Sequence, residues 1–251
     1  MKKIPDGYQN EFLIVLEFNN KKVKDLNPML REVIDDLFPN INEEKIIKSW
    51  RNHINNQKGD ILIKIDKKVR SVSIKKGSKN SVHVENIEAF KSFLKDSGIK
   101  DKIVYNYELF HYGVDKSNHK KILSSSEFSE KYKRKIKIIN KEFSKLDREK
   151  ITDRFILCGN NSNYRVDGII YGTPNDFLWL NKDDVIKIIK KRNNNNSNTV
   201  HIGPLYIQPF NRCINNNKKY IWCRDYIQIK WYSLYDDIIE YKNEIVMKTI
   251  K

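Results

Sequence analysis

A chain of 251 residues that is 39% hydrophobic and 32% charged can bury a substantial core, which excludes a disordered chain and leaves one large domain or two small ones. Its formal net charge of +16 draws it towards polyanions, of which nucleic acid is the commonest in a cell, although the abundance of Lys, Asn and Ile also fits an AT-rich coding background. No apolar run reaches membrane-spanning length, and Glu11 and Glu17 interrupt the lysine-led N-terminus, so neither a membrane span nor a secretory signal is expected.

Phe12 to Phe18 reads as a strand. Asn27-Pro28 then supplies a helix cap and a proline at the first helical position. Leu30, Val33, Ile34, Leu37 and Phe38 mark one apolar helical face that Pro39 ends. A less regular segment from Asn42 to Asn55 holds Trp50 and Arg51. Ile61, Ile63 and Ile65, followed after a lysine-rich turn by Val69 to Ile74, predict a hairpin, which Gly77-Ser78 breaks. Ile87, Phe90, Phe93 and Leu94 predict a helix ending at Gly98, and Lys102 to Tyr112 alternates as a strand.

Ser124 to Lys150 reads as helical and basic, with Lys131, Lys133, Arg134, Lys135, Lys137, Lys141 and Lys145. The apolar stretches Phe155–Cys158 and Val166–Tyr171 follow, then a helix at Asp183–Lys190 that Asn181 can cap, an Asn run at Asn193–Asn196, and strands at Leu205–Pro209 and Tyr226–Tyr232. There is no internal repeat. A composition shift near Ser117–Ser126 places a boundary between an α/β portion, residues 1–116, and a basic, β-rich portion, residues 117–251, unless the two form one domain. Cys158, Cys213 and Cys223, an odd number at no metal-site spacing, suit a reducing cytoplasm.

Metal-assisted phosphodiester cleavage needs carboxylates to hold a hard divalent cation and a lysine to orient or activate water. Asp60 begins the first hairpin strand and Lys75 ends the second, so the turn brings them together. Ser73 and Lys75, two apart, share a face.

In element order and in Asp60…Ser73-Ile74-Lys75, residues 27 to 112 resemble the PD-(D/E)XK nuclease superfamily. Gly59 stands where that family often has Pro, and Ser73 where it usually has an acid. A variation within type II restriction endonucleases has S-x-K on the strand and takes its glutamate from the following helix. Glu88, after twelve intervening residues, matches that spacing, with Glu85 one turn away.

The resemblance implies a restriction-endonuclease-like mixed α/β sheet flanked by helices, with a C-terminal β-rich extension. It implies a Mg²⁺-dependent endonuclease acting on double-stranded DNA, working as a homodimer or higher homo-oligomer. Asp60 and Glu88 would hold the ion, Lys75 would position or deprotonate water, and Ser73 would assist. The alternatives are a non-catalytic DNA- or RNA-binding protein with a degenerate nuclease fold, and a repair or RNA nuclease.

Other residues carry competing readings. Asp167 with Gln228 and Lys230 offers a second acid and Q-x-K set, though at long separation. Glu32 lies opposite the apolar face of its helix and is expected to meet solvent. His111 and His119 read as surface or structural, and His83 as a loop residue that could touch the site. For phosphate and base contacts the candidates are Lys76, Ser78, Lys79 and Asn80 beside the hairpin end, and Gln208, Asn211, Arg212, Arg224, Gln228 and Lys230 in the second half.

Overall fold

The computed structural model describes residues 6–54, 57–113, 123–159, 165–194, 198–210 and 223–249. Residues Asp6–Phe18 form helix α1, where the apolar run suggests a strand. Ile14, Val15 and Phe18 are buried on one side, while Phe12, Leu13 and Leu16 stay exposed. A continuous apolar run has no period of its own, so tertiary partners choose between helix and strand. Helix α2 (Pro28–Leu37) begins as expected, with Asn27 Oδ1 accepting from the Leu30 N–H at 2.9 Å. Strand β1 (Lys48–Arg51) occupies part of the irregular segment. The hairpin follows as β2 (Ile61–Ile65) and β3 (Lys68–Lys75), paired Ile61 to Val72 and Ile65 to Lys68.

After Gly77 the chain forms β4 (Ser81–Asn86) and then helix α3 (Ile87–Asp96), capped by Asn86, whose side chain accepts from the Glu88 N–H. Helix α4 (Asp101–Tyr112) replaces the expected strand. Ile103, Val104, Tyr107, Phe110 and His111 are buried at helical spacing, and Gly113 ends the helix at φ +78°. The basic middle is helical as read: α5 (Ser125–Lys131) with a Ser124–Glu127 capping box, α6 (Lys133–Phe143) and the short α7 (Arg148–Thr152).

A π-type turn at Asp153–Leu157 leads to β5 (Gly168–Thr173) and β6 (Asp176–Asn181). Asn181 caps α8 (Lys182–Lys191) by accepting from the Asp184 N–H at 2.9 Å. Strands β7 (His201–Ile202), β8 (Leu205–Pro209) and β9 (Tyr226–Lys230) precede helix α9 (Leu234–Thr249), which the sequence reading lacks. No helix among the described residues is long and apolar enough to cross a membrane.

The result is a mixed α/β architecture with two sheets. One is five-stranded in the order β1-β2-β3-β5-β6, antiparallel except where β3 runs parallel to β5. The other is antiparallel in the order β4-β9-β8-β7.

The chain divides into two units: residues 1–80, 149–190 and 234–251 form the first, and 81–148 with 191–233 the second. The units interleave along the sequence and do not follow a single boundary near residue 117. The core of the first unit joins Ile14 and Phe18 of α1, Leu30 and Ile34 of α2, Ile61 and Ile63 of β2, Val72 of β3 and Ile170 of β5. In the second unit Phe90 meets Tyr107 edge-on with centroids 5.1 Å apart and Phe143 at 6.1 Å, and Phe110 meets Phe128 at 5.6 Å.

Candidate active site

The hairpin ends of the first unit converge on one carboxylate oxygen. Asp60 Oδ2 accepts from the Ile74 N–H at 2.6 Å, from Ser73 Oγ at 2.8 Å and from Lys75 Nζ at 3.4 Å. The backbone fixes this arrangement: the Asp60 N–H donates to Val72 O at 2.8 Å, locking the start of β2 against the end of β3. Burial opposes a charge on Asp60. The Lys75 ammonium, the Ile74 N–H and the Ser73 hydroxyl outweigh it and hold the carboxyl below its ordinary value. Oδ1 takes no part in these three bonds.

Gly59 explains one departure from the family pattern. Its φ of +92° lies in the left-handed region, and a Cβ built there would sit 2.0 Å from Ser71 Oγ. Proline is confined to φ near −65°, so it cannot take this conformation. The turn into β2 therefore needs glycine.

Helix α1 adds a residue that sequence reasoning missed. Arg51 Nε of β1 donates to Glu11 Oε2 at 3.0 Å, and the Arg51 guanidinium lies over the Tyr8 ring at 4.7 Å. The Glu11 side chain is 16% exposed. Burial first, and then the negative charge of Asp60, push its pKa up, while Arg51 and Lys75 pull against them. Glu11 is thus close enough to feel both Asp60 and Lys75. The signal was the helical spacing of Ile14, Val15 and Phe18, which a strand reading of the same run conceals.

On the parallel neighbour β5, Tyr171 pairs in register with Lys75, and its hydroxyl donates to Gly77 O at 3.0 Å. Of the adjoining loop candidates, Lys76 pairs with Asp6 at 3.0 Å, and Ser78 and Lys79 are exposed. Asn80 is buried, and its amide donates to Gly77 O at 2.8 Å to close the turn.

Glu85 and Glu88 belong to the second unit and do not share a helix. Glu85 lies on β4, opposite Ile227 of β9, fully buried and 3.5 Å from His83. A strand in place of the expected helix start accounts for the difference: burial alternates from His83 onwards until Asn86 caps α3. Glu88 sits in the first turn of α3, 59% exposed, and pairs with Lys91 at 3.1 Å. His83 is therefore a buried strand residue and not part of a loop.

Asp167 of the rival set lies in the first unit. Its Oδ2 accepts from the Ser71 N–H at 2.9 Å and its Oδ1 lies 3.5 Å from Arg70, which ties β3 to the start of β5. Gln208, Gln228 and Lys230 are half-buried on adjacent strands of the second unit, with Gln208 directly opposite Gln228. Arg224 lies with its guanidinium 6.0 Å from the Tyr112 ring centre, and its carbonyl meets His111 Nε2 at 2.8 Å. Glu32 is exposed, as its helix position implies, and pairs with Lys242 at 3.4 Å. Asn211, Arg212 and His119 lie outside the described residues.

No family model and no curated protein matches the sequence. Among solved structures, restriction endonuclease MspI in complex with its cognate DNA is similar over 89% of this chain and 87% of that one, with 14% identity and a TM-score of 0.44.

Proposed function

We propose that this protein is a Mg²⁺-dependent endonuclease that hydrolyses phosphodiester bonds in duplex DNA, of the type II restriction kind. The observation that carries this reading is the convergence of Asp60, Ser73 and Lys75, with the half-buried Glu11 carboxyl within the electrostatic reach of Asp60. The charge of Asp60 raises the cost of ionising Glu11, a cost that a cation held between them would relieve. The donor set, carboxylate oxygens and a hydroxyl, suits a hard ion.

Asp60 through Oδ1 and Glu11 would hold the ion, which when bound supplies Lewis-acid stabilisation of the phosphate and a more acidic water. Lys75, held by Asp60 and by Ile74 O at 3.1 Å, orients the attacking water or takes part in its deprotonation. Ser73 keeps the Asp60 carboxylate aimed, replacing by a hydrogen bond the acid that the family pattern usually places there. Glu88, with Glu85 in reserve, is the alternative second carboxylate that the S-x-K resemblance implies. Cutting both strands would use two copies of the chain, hence a homodimer or larger homo-oligomer.

A second reading, a non-catalytic DNA-binding protein, is favoured by the single fact that Ser73 stands where an acid is usual. Incubation with duplex DNA, with and without Mg²⁺, separates the two. The nuclease reading expects cleavage only with the ion, and its loss in Lys75→Ala and Asp60→Ala. Unchanged cleavage in both variants places the chemistry elsewhere. Binding without cleavage supports the second reading.

A further inference from the structure

The second unit holds a relay of side-chain amides on the half-exposed face of its sheet. Tyr232 Oη donates to Gln208 Oε1 at 3.3 Å, Gln208 Nε2 to Gln228 Oε1 at 3.4 Å, and Gln228 Nε2 to Ser81 Oγ at 3.2 Å. Register places these residues together: Gln208 faces Gln228 across β8 and β9, and Tyr206 and Ser81 each face Lys230. The Tyr206 and Tyr232 rings meet edge to face at 4.9 Å, and Lys230 Nζ lies 5.5 Å from the centre of the Tyr232 ring. Gln208 and Gln228 are half-buried with Ile207, Ile227 and Ile229 packed beneath them, so their stems are fixed while their amides reach the surface.

Resting on the DNA reading above, we infer that Gln208 and Gln228 are specificity residues that recognise the N6/N7 edge of adenine. The reason is a count of donors and acceptors. Each amide has two N–H donors and two acceptor lone pairs, and the relay uses one N–H and one lone pair of each. What remains on each is one donor beside one acceptor. Reversing every amide, so that Ser81 donates and Tyr232 accepts, leaves the same remainder.

That remainder matches adenine, which offers an acceptor at N7 beside a donor at N6. Guanine offers two acceptors, cytosine a donor, and thymine an acceptor beside a methyl group. The relay also removes the rotational freedom that an isolated glutamine would lose on binding. Lys230, with donors alone, suits phosphate or a guanine edge beside the pair.

The adenine edge could come from duplex or single-stranded DNA, and the test uses both. A pool of duplexes with a randomised core, bound to the full chain without Mg²⁺, gives the preferred sequence. Each preferred adenine is then replaced by 7-deazaadenine, which lacks the N7 acceptor, in the duplex and in the matching single strand. The expected result is adenine in the preferred sequence and a loss of affinity of about 5- to 150-fold on replacement. In Gln208→Ala and Gln228→Ala the natural and deaza forms should bind alike.

A loss confined to the single strand would identify unpaired DNA as the source of the edge. A preferred sequence without adenine, or full discrimination in variants whose circular dichroism and thermal melting match the parent, overturns the inference while leaving the nuclease reading intact. Failure to bind any DNA overturns both.

Discussion

Ser73 Oγ and the Ile74 N–H both donate to the same oxygen of Asp60, at 2.8 and 2.6 Å. The hydroxyl therefore acts on the carboxylate, and the backbone amide would hold it even without the hydroxyl. Ser73→Ala is expected to cost about 1 kcal/mol of stability and to lower cleavage by roughly tenfold, a loss of aim. Lys75→Ala should lose at least about 100-fold. Denaturant melts and single-turnover cleavage measure the two effects; equal losses in both variants would deny Ser73 its supporting part.

Glu11 and Glu88 compete for the role of second carboxylate. Because Glu11 is half-buried beside Arg51 and feels the charge of Asp60, Glu11→Gln is expected to reduce Mg²⁺-dependent cleavage by about 100-fold or more. Glu88→Gln, on an exposed side chain paired with Lys91, should stay within about threefold of the parent, as surface ion pairs contribute little. Mn²⁺ titration by calorimetry gives a readout independent of turnover. The opposite ranking would favour Glu88.

Placing at Gly59 the proline of the PD-(D/E)XK pattern should harm the protein. Gly59→Pro demands φ near −65° where the chain has +92°, and places ring atoms where even a Cβ lies 2.0 Å from Ser71 Oγ. The expected cost is about 3 kcal/mol or more, read as a fall in Tm with loss of cleavage. Gly59→Ala should be milder in both.

On the nuclease reading, chelation should stop cleavage without unfolding the chain. Asp60 already has three protein donors on one oxygen, so its place in the sheet does not depend on a cation. Added EDTA is expected to stop cleavage and leave Tm unchanged. A large drop in Tm would instead make the ion structural.

The hairpin was legible because Ile61, Ile63 and Ile65 alternate, and its pairing brings Asp60 to Lys75 by geometry alone. Asn27 and Asn181 announced their helices through their capping side chains. Helix α1 was not legible, since its apolar run fits either period, and Glu11 was hidden with it. Helix α4 shows the same ambiguity: Lys102 to Tyr112 contains β-branched and aromatic residues, yet Ile103, Tyr107 and Phe110 share a helical face. Glu85 was misplaced because the helix starts at Ile87, two residues later, leaving Glu85 on a strand whose burial alternates. The interleaving of the units was invisible, because no local pattern tells β3 that its parallel neighbour is β5.

That parallel pairing, Val72 with Gly168 through Lys75 with Tyr171, sets an order of events during synthesis. The ribosome releases Asp60 and Lys75 long before the strand that flanks them, and a nascent hairpin must wait for nearly a hundred further residues before its sheet can close. A half-made chain would thus carry the reactive groups without the scaffold that aims them, and a fragment ending at residue 116 should neither fold cooperatively nor cut DNA.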